Sequence, residues 1–158
     1  LHNLTVDLSE SLGMKGVIIR LLNKESGNLQ LVASHGLSDR FLNKGPVSST
    51  QSAAQALKGK TLVIKDATTD KRIQYKKEMK KEGIVSMIVT PIKSRDEIIG
   101  VLRLYAGVER EFPPDVVTMV QALAHQGALA IQNASMYLSL QKAKEDLEED
   151  IWSHRPWF

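Results

Sequence analysis

The sequence predicts an α+β domain built on an antiparallel sheet. Residues 16–22 and 29–34 are apolar, partly β-branched runs joined by a polar turn, and residues 84–92 and 98–105 form a second such pair. Short polar turns between two strands predict hairpins. No strand–helix–strand alternation of the parallel kind is present, so an antiparallel sheet follows.

Helical patterns flank and separate these hairpins. Apolar residues from Leu1 to Leu12 recur at three- and four-residue spacing, which predicts an amphipathic helix ended by Gly13. A short strand is predicted over residues 61–65. The other predicted helices are residues 39–43 capped by Ser38, residues 51–57 capped by Ser49 or Thr50, residues 73–81 before Gly83, and a long helix over 115–152 after Pro113 and Pro114.

The composition is that of one soluble globular domain. The chain has 158 residues, of which 42% are apolar and 25% charged. It contains no apolar run near the roughly 20 residues that a bilayer crossing needs, and its first residues, LHNLTVDLSE, do not resemble a signal peptide. We therefore expect a cytoplasmic protein without a membrane partner. With no cysteine, disulfides, thiol catalysis and thiolate metal sites are excluded.

Charge and motif patterns disfavour nucleic-acid binding and catalysis. The net charge is only +3, and the basic residues gathered over 71–81 have only Tyr75 as an aromatic neighbour. This pattern predicts a solvated helix face and no nucleic-acid partner. No Ser/His/Asp arrangement, glycine-rich phosphate loop or metal-spaced cluster is present. We expect neither a catalytic site nor a metal site.

Several segments, in order, carry a family resemblance. They are VASHGLS at 32–38, TPI at 90–92 followed by IIGVL at 98–102, Phe112, and ALAHQGALAIQNA at 122–134. Together they resemble a GAF domain, from Met14 to about Tyr137. The resemblance implies a sheet of five or six antiparallel strands, with the terminal helices on one face and short helices forming a lid over a ligand pocket on the other.

The resemblance also implies a function. It indicates a non-enzymatic sensory or regulatory domain of bacterial signal transduction, which binds a small molecule and passes the change through its terminal helices to a signalling partner. Such domains commonly dimerise through those helices. The alternative is a dimerisation or protein-interaction module whose pocket is vestigial. We expect the GAF domain to span residues 1–137 and a helical extension with an aromatic tail to span 138–158.

The cofactors known among GAF relatives are not expected here. Covalent bilin attachment needs a cysteine. For haem, His35 and His125 are isolated from carboxylates and from each other in the sequence, which is typical of structural histidines. Cyclic nucleotide binding is disfavoured because Tyr105-Ala106 replaces the Asn-Lys pair of binding relatives and Val116-Val117 replaces their Asp-Glu pair.

Two arginines suggest the chemistry of a ligand site. Arg20 and Arg103 interrupt apolar strands, and two guanidinium groups on one partly dry face require an anion. That anion is either a ligand or a carboxylate of the chain. In the alternative interpretation, each arginine pairs with Asp66, Asp70 or Glu82, or reaches solvent. The candidate ligand-binding residues are Arg20, Arg103, Tyr105, Ser86 and Ile88 on strands, with Thr90 alongside them, and Asp66 and Tyr75 in the lid.

The terminal helices supply candidate interface residues. The last helix has a face of small residues, which permits close approach to a sheet or a second helix. Beyond Tyr137, apolar residues spaced from Leu140 to Ile151 predict a coiled-coil extension with acidic flanks. The candidate residues for a homodimer or helix interface are Leu4, Leu8, Leu123, Gly127, Ile131 and Ala134.

Overall fold

The computed structural model contains one five-stranded antiparallel sheet. It describes residues 1–45 and 53–153. The strands are β1 (Gly16–Leu22), β2 (Leu29–His35), β3 (Leu62–Ile64), β4 (Ser86–Ser94) and β5 (Glu97–Ala106). Their order is β2-β1-β5-β4-β3, and every neighbouring pair is antiparallel. The predicted α+β fold class and both hairpins are confirmed.

Four helices and one 3₁₀ turn accompany the sheet. They are α1 (His2–Leu12), α2 (Asp39–Leu42), the 3₁₀ turn (Ala56–Lys58), α3 (Lys76–Glu82) and α4 (Pro114–Ser153). Ser38 caps α2 as predicted, because its side chain accepts from the backbone N–H of Phe41. The helix predicted over 51–57 begins outside the described residues. Within the described part, no helix combines the length and apolar character that a membrane crossing requires.

Helix α3 begins three residues later than predicted. The carboxylate of Asp70 accepts from the backbone N–H of Arg72 at 2.9 Å and holds the preceding segment in a turn. An aspartate that bonds its backbone two residues ahead competes with helix formation in this way. The helix then runs from Lys76 until Gly83, which takes the left-handed conformation at its end.

The sheet has two different faces, each covered by its own set of helices. Its "helix face" packs against α1 and α4 and is formed by Val17, Ile19, Ile88, Leu102 and Leu104, together with their buried partners. Its "lid face" packs against α2, the 3₁₀ turn and α3 and is formed by Ile18, Met87, Val89, Val101 and Tyr105, together with theirs. This division follows from the two-residue period of a strand. The predicted placement of the terminal helices on one face is confirmed.

Helix α4 approaches the sheet through its small residues. Ala124 and Ala128 are buried in the helix-face core, and a Cβ on Gly127 would lie 3.4 Å from Leu4 Cδ2 of α1. Small side chains at such positions allow short interaxial distances. From Asn133 to Trp152 every residue of α4 is exposed, so the second half of the helix extends away from the sheet.

Candidate functional site

Arg20 and Arg103 lie on the lid face, side by side on adjacent strands. In the β1–β5 pairing, Ile18 is opposite Arg103 and Arg20 is opposite Val101. Residues directly opposite one another share a face, and both Ile18 and Val101 belong to the lid-face core. The two arginines are therefore diagonal neighbours, a separation that long side chains can span.

Both arginines are buried with incomplete hydrogen bonding. Arg20 is 5% exposed and Arg103 is 3% exposed. Arg20 NH1 donates to the carbonyl oxygen of Leu29 at 3.2 Å. Within residues 1–45 and 53–153, however, Arg20 NH2 and Arg103 Nε and NH2 have no hydrogen-bond partner. Burial lowers the pKa of Arg20, and the charge of Arg103 lowers it further. Two buried guanidinium groups with unpaired N–H donors lower the stability of the folded domain.

The carboxylates suggested as partners for these arginines are engaged elsewhere. Asp70 accepts from Arg72 Nε and NH2 at 2.9 and 2.6 Å. Glu82 accepts from the backbone N–H and the hydroxyl of Ser38 at 2.7 and 2.6 Å. Asp66 accepts from the backbone N–H of Thr68 at 2.9 Å. The alternative interpretation, pairing with these residues or exposure to solvent, is therefore wrong.

The residues outside the described ranges add no acidic side chain. Residues 46–52 read PVSSTQS and residues 154–158 read HRPWF. In the described parts of the chain, no ion pair involves Arg20 or Arg103. The charge of the two guanidinium groups is thus not balanced by a side chain of the domain itself.

Lys44 adds a third positive charge to this region. It follows α2, and its Nζ lies 4.0 Å from the ring centroid of Phe41 and 5.6 Å from that of Tyr75. Burial lowers the pKa of Lys44 to about 8, with further lowering by the charges of Arg20 and Arg103. We call Arg20, Arg103 and Lys44 the cation cluster.

Lys44 was not among the residues expected at a ligand site. In the sequence it is one lysine in the polar stretch Asn43-Lys44-Gly45, which carries no signal of its own. Its position becomes meaningful only when α2 packs on the lid face. That packing depends on Phe41, a buried residue of the lid-face core.

Aromatic residues frame the cation cluster. The rings of Phe41 and Tyr105 meet edge to face, with centroids 5.6 Å apart and an interplanar angle of 85°. Tyr105 is fully buried. Tyr75 packs against the lid-face core, and a Cβ on Gly45 would lie 2.7 Å from the Tyr75 hydroxyl oxygen. The structure thus brings Tyr105 and Tyr75 together with the arginines.

Ser86, Ile88 and Thr90 do not share this face, and the expectation that they do is wrong. Val89 is opposite Arg103 in the β4–β5 pairing, so Met87 and Val89 lie on the lid face while their neighbours face the other way. Ile88 is in the helix-face core, and Ser86 Oγ donates to the carbonyl oxygen of Val108 at 2.7 Å. A shift of one residue in register exchanges the faces of a whole strand.

Asp66 is a turn residue whose hydrogen bonds within the described residues are to Thr68 and Thr69. Its carboxylate accepts from both the backbone and the hydroxyl of Thr68. Those hydrogen bonds lower the pKa of Asp66. The interpretation of Asp66 as a turn-forming residue therefore agrees with its local hydrogen bonds.

The histidines considered for haem lie on the opposite side of the sheet. His35 is paired with Val17 of the helix face, and its ring is 6.4 Å from that of His2. His125 is on α4, beside a depression of about 180 Å³ that Thr61, Thr90 and Gln121 also line. These positions do not fit a haem held on the lid face. In the described residues, no group of three or more His, Asp or Glu side chains is arranged to hold a metal ion.

The candidate interface residues fall into three environments. Leu8 is 2% exposed and belongs to the helix-face core together with Ala124 of α4, so it lies at a helix interface inside the domain. Leu4 and Leu123 line a groove of about 310 Å³ between α1 and α4. Gly127 is buried and Ile131 half-buried beside the helix-face core, whereas Ala134 is exposed.

Known structures share this architecture. A GAF domain from a phosphoenolpyruvate-protein phosphotransferase of Coxiella burnetii has a TM-score of 0.78 at 18% identity, covering 88% of this chain and 84% of that one. The corresponding domain from Acinetobacter has a TM-score of 0.73 at 16% identity, covering 88% and 84%. A GAF domain/HD domain protein from Geobacter sulfurreducens has a TM-score of 0.70 at 14% identity, covering 85% and 91%.

Sequence comparison identifies the family. Among curated proteins, none matches the sequence. A family model described as GAF domain matches residues 1–132, which is most of the 158-residue chain. The chain belongs to the GAF domain family.

Proposed function

We propose that this GAF domain is a cytoplasmic, non-enzymatic sensory module that binds a small anion at the cation cluster. The observation that carries the proposal is the burial of Arg20 and Arg103 with N–H groups that, among the described residues, have neither a hydrogen-bond partner nor an ion pair to a carboxylate. Guanidinium groups bind carboxylate and phosphate through paired hydrogen bonds. An anion from solution would supply both the missing charge and the missing acceptors.

The strands that carry the arginines offer a route for the signal. On β1 and β5 the residues between the lid-face positions, such as Ile19 and Leu104, pack in the core beneath α1 and α4. A ligand acts through its difference in affinity between two arrangements of the lid. An adjustment of β1 or β5 on binding would therefore be transmitted to the terminal helices.

The lid elements are joined in a way that suits a concerted movement. Glu82 at the end of α3 accepts from Ser38 at the start of α2. Burial raises the pKa of Glu82, but the Ser38 hydrogen bonds and the charges of Lys15 and Arg40 outweigh this and leave it below its ordinary value. The ionised carboxylate thus couples α2 and α3, and Lys44 lies two residues after the end of α2.

Binding to the cation cluster is testable with one variant. Arg103→Met should weaken the binding of small anions at least tenfold, because a hydrogen bond to a charged group contributes about 1.5–3 kcal/mol. Isothermal titration calorimetry with propionate, nitrate, succinate and inorganic phosphate measures the affinity. Arg95→Met removes the same charge from the exposed β4–β5 turn and should leave the affinity unchanged. Equal affinities in both variants, or no binding to the unaltered domain, would exclude this site.

The exposed half of α4 favours a homodimer as the form that transmits the signal. Met136, Leu140 and Leu147 are 57%, 66% and 64% exposed, and with Ala143 between them they follow the 4-3-4 spacing of a coiled coil. Exposed apolar residues in such a row suit an identical helix as partner. The extension over residues 138–153 would then be the dimer stem, with a signalling protein as a further partner.

A double substitution tests the dimer. Leu140→Glu together with Leu147→Glu should convert the domain to a monomer, because burying like charges at the seam opposes pairing. Sedimentation equilibrium measures the mass, and Lys142→Glu with Glu149→Lys serves as a control that keeps the apolar row. A monomeric unaltered domain would refute the dimer. A dimer that binds no anion would instead favour the pure assembly module.

A further inference from the structure

We propose that the ligand of this site is a compact dianion, a dicarboxylate or a phosphate group, that bridges Arg20 and Arg103 on the sheet to Lys44 on the lid. This inference deepens the proposed anion-binding function and rests on it. It adds a ligand class, a role for Lys44 and a dependence on pH.

The arrangement of the three charges favours two negative charges on the ligand. Arg20 and Arg103 project from strands in the middle of the sheet, whereas Lys44 belongs to the lid segment after α2. A monoanion held by the paired guanidinium groups would leave two of the three positive charges uncompensated, including that of half-buried Lys44. A second negative charge placed beside Lys44 would compensate one more of the three, because opposite charges about 4 Å apart attract strongly near a protein surface.

The surroundings of Lys44 do not neutralise it. The charged groups that act on Lys44 are Arg20 of β1, Arg103 of β5, and Glu78 and Glu82 of α3. The rings of Phe41 and Tyr75 lie beside its ammonium group. Tyr105 of β5 acts on the neighbouring Arg20. The two arginines affect Lys44 more strongly than the two glutamates do. Glu82 is also engaged by Ser38. The local balance is therefore positive.

Lys44 uses one of its donors on a described residue. An ammonium group carries three N–H donors, and within the described residues the hydrogen bond of Lys44 Nζ goes to the carbonyl oxygen of Phe41 at 3.1 Å. The ring of Phe41 covers another side of the ammonium group. A ligand oxygen would complete its hydrogen bonding and hold the end of α2 against the sheet.

The aromatic frame limits the size of the ligand. Tyr105 and Phe41 are fully buried and in edge-to-face contact, so one side of the site is closely packed. A long or branched ligand would have to separate this pair. A short dicarboxylate or a phosphate group places two charges within a few bonds and avoids that cost.

The bridge predicts that affinity falls as the solution becomes alkaline. Lys44 with a pKa of about 8 is mostly protonated at pH 7 and mostly neutral at pH 9. Both carboxyl groups of succinate remain ionised over this range, because carboxyl groups ordinarily titrate near pH 4. If only protonated Lys44 bridges the ligand, the affinity for succinate drops about tenfold between pH 7 and pH 9.

The experiment compares dianions with monoanions in three proteins. Affinities of the full 158-residue chain for succinate, inorganic phosphate and propionate are measured by calorimetry at pH 7 and pH 9, with Lys44→Gln as the test variant. Lys77→Gln is the control, because it removes an exposed charge from lid helix α3. The unaltered protein and the Lys77→Gln control should bind succinate or phosphate at least tenfold more tightly than propionate at pH 7. The dianion that binds more tightly identifies the ligand as a dicarboxylate or a phosphate group.

The Lys44→Gln variant separates this inference from the proposed function. It should lose the preference for dianions and the pH dependence of succinate binding, so that succinate, phosphate and propionate bind with affinities within about threefold of one another. If propionate binds as tightly as the dianions, or Lys44→Gln keeps the preference, the bridge is refuted while anion binding stands. If no anion binds the unaltered protein, both proposals fail.

Discussion

Replacing Arg103 with methionine should stabilise the ligand-free domain by about 1–4 kcal/mol. Arg103 is 3% exposed, and its Nε and NH2 have no partner among the described residues. Replacing a whole buried ion pair by apolar side chains of similar volume is often neutral or stabilises by about 1–4 kcal/mol. Arg103 has no ion-pair partner among the described residues that its removal would leave uncompensated. The expectation is unusual, because most core substitutions destabilise.

Urea unfolding in a buffer without multivalent anions measures this gain. Arg95→Met is the matched control, since Arg95 is exposed and its substitution should change the free energy of unfolding by less than about 0.5 kcal/mol. The variant should also lose the additional stability that succinate or phosphate confers on the unaltered protein. An Arg103→Met domain less stable than the unaltered one would show that the guanidinium group is satisfied by the fold.

Tyr105→Ala should destabilise the domain by about 3–5 kcal/mol, the range for removing a buried aromatic ring. Tyr105 is fully buried between the sheet and the lid, and its ring meets Phe41 of α2. Its loss would leave a cavity beside both arginines. Thermal and denaturant unfolding measure the stability, and hydrogen exchange should become faster in α2 and α3.

Tyr105→Phe is the matched control for this prediction. It keeps the edge-to-face contact and removes only the hydroxyl group, so we expect a change within about 1.5 kcal/mol. If the two substitutions destabilise equally, the hydroxyl group and not the packing of the ring holds the lid. If Tyr105→Ala costs less than about 1 kcal/mol, the lid does not depend on this contact.

The strands and the presence of the arginines were predictable from the sequence. Both hairpins have strong apolar patterns, and Arg20 and Arg103 are conspicuous because a charge interrupts each run. The small residues of the last helix likewise predicted its close packing, which Ala124 and Ala128 confirm. These features are local, so a short window of sequence contains the signal.

A short window of sequence could not predict which strand residues face the lid or which residues make up the site. Met87 and Val89, rather than Ser86 and Ile88, join Arg103 because of the β4–β5 register, which depends on pairing across the sheet. Lys44 joins the arginines only through the packing of α2. The carboxylate of Asp70 accepts a hydrogen bond from Arg72, and that of Glu82 accepts one from Ser38. Each of these outcomes is decided by contacts between distant segments.

A crystal structure of the domain grown with succinate or phosphate would show whether a foreign anion occupies the lid face. We expect electron density for that anion within hydrogen-bonding distance of Arg103 Nε and NH2 and of Arg20 NH2. Guanidinium groups bonded instead to groups of the chain itself, with no density between them, would contradict the account.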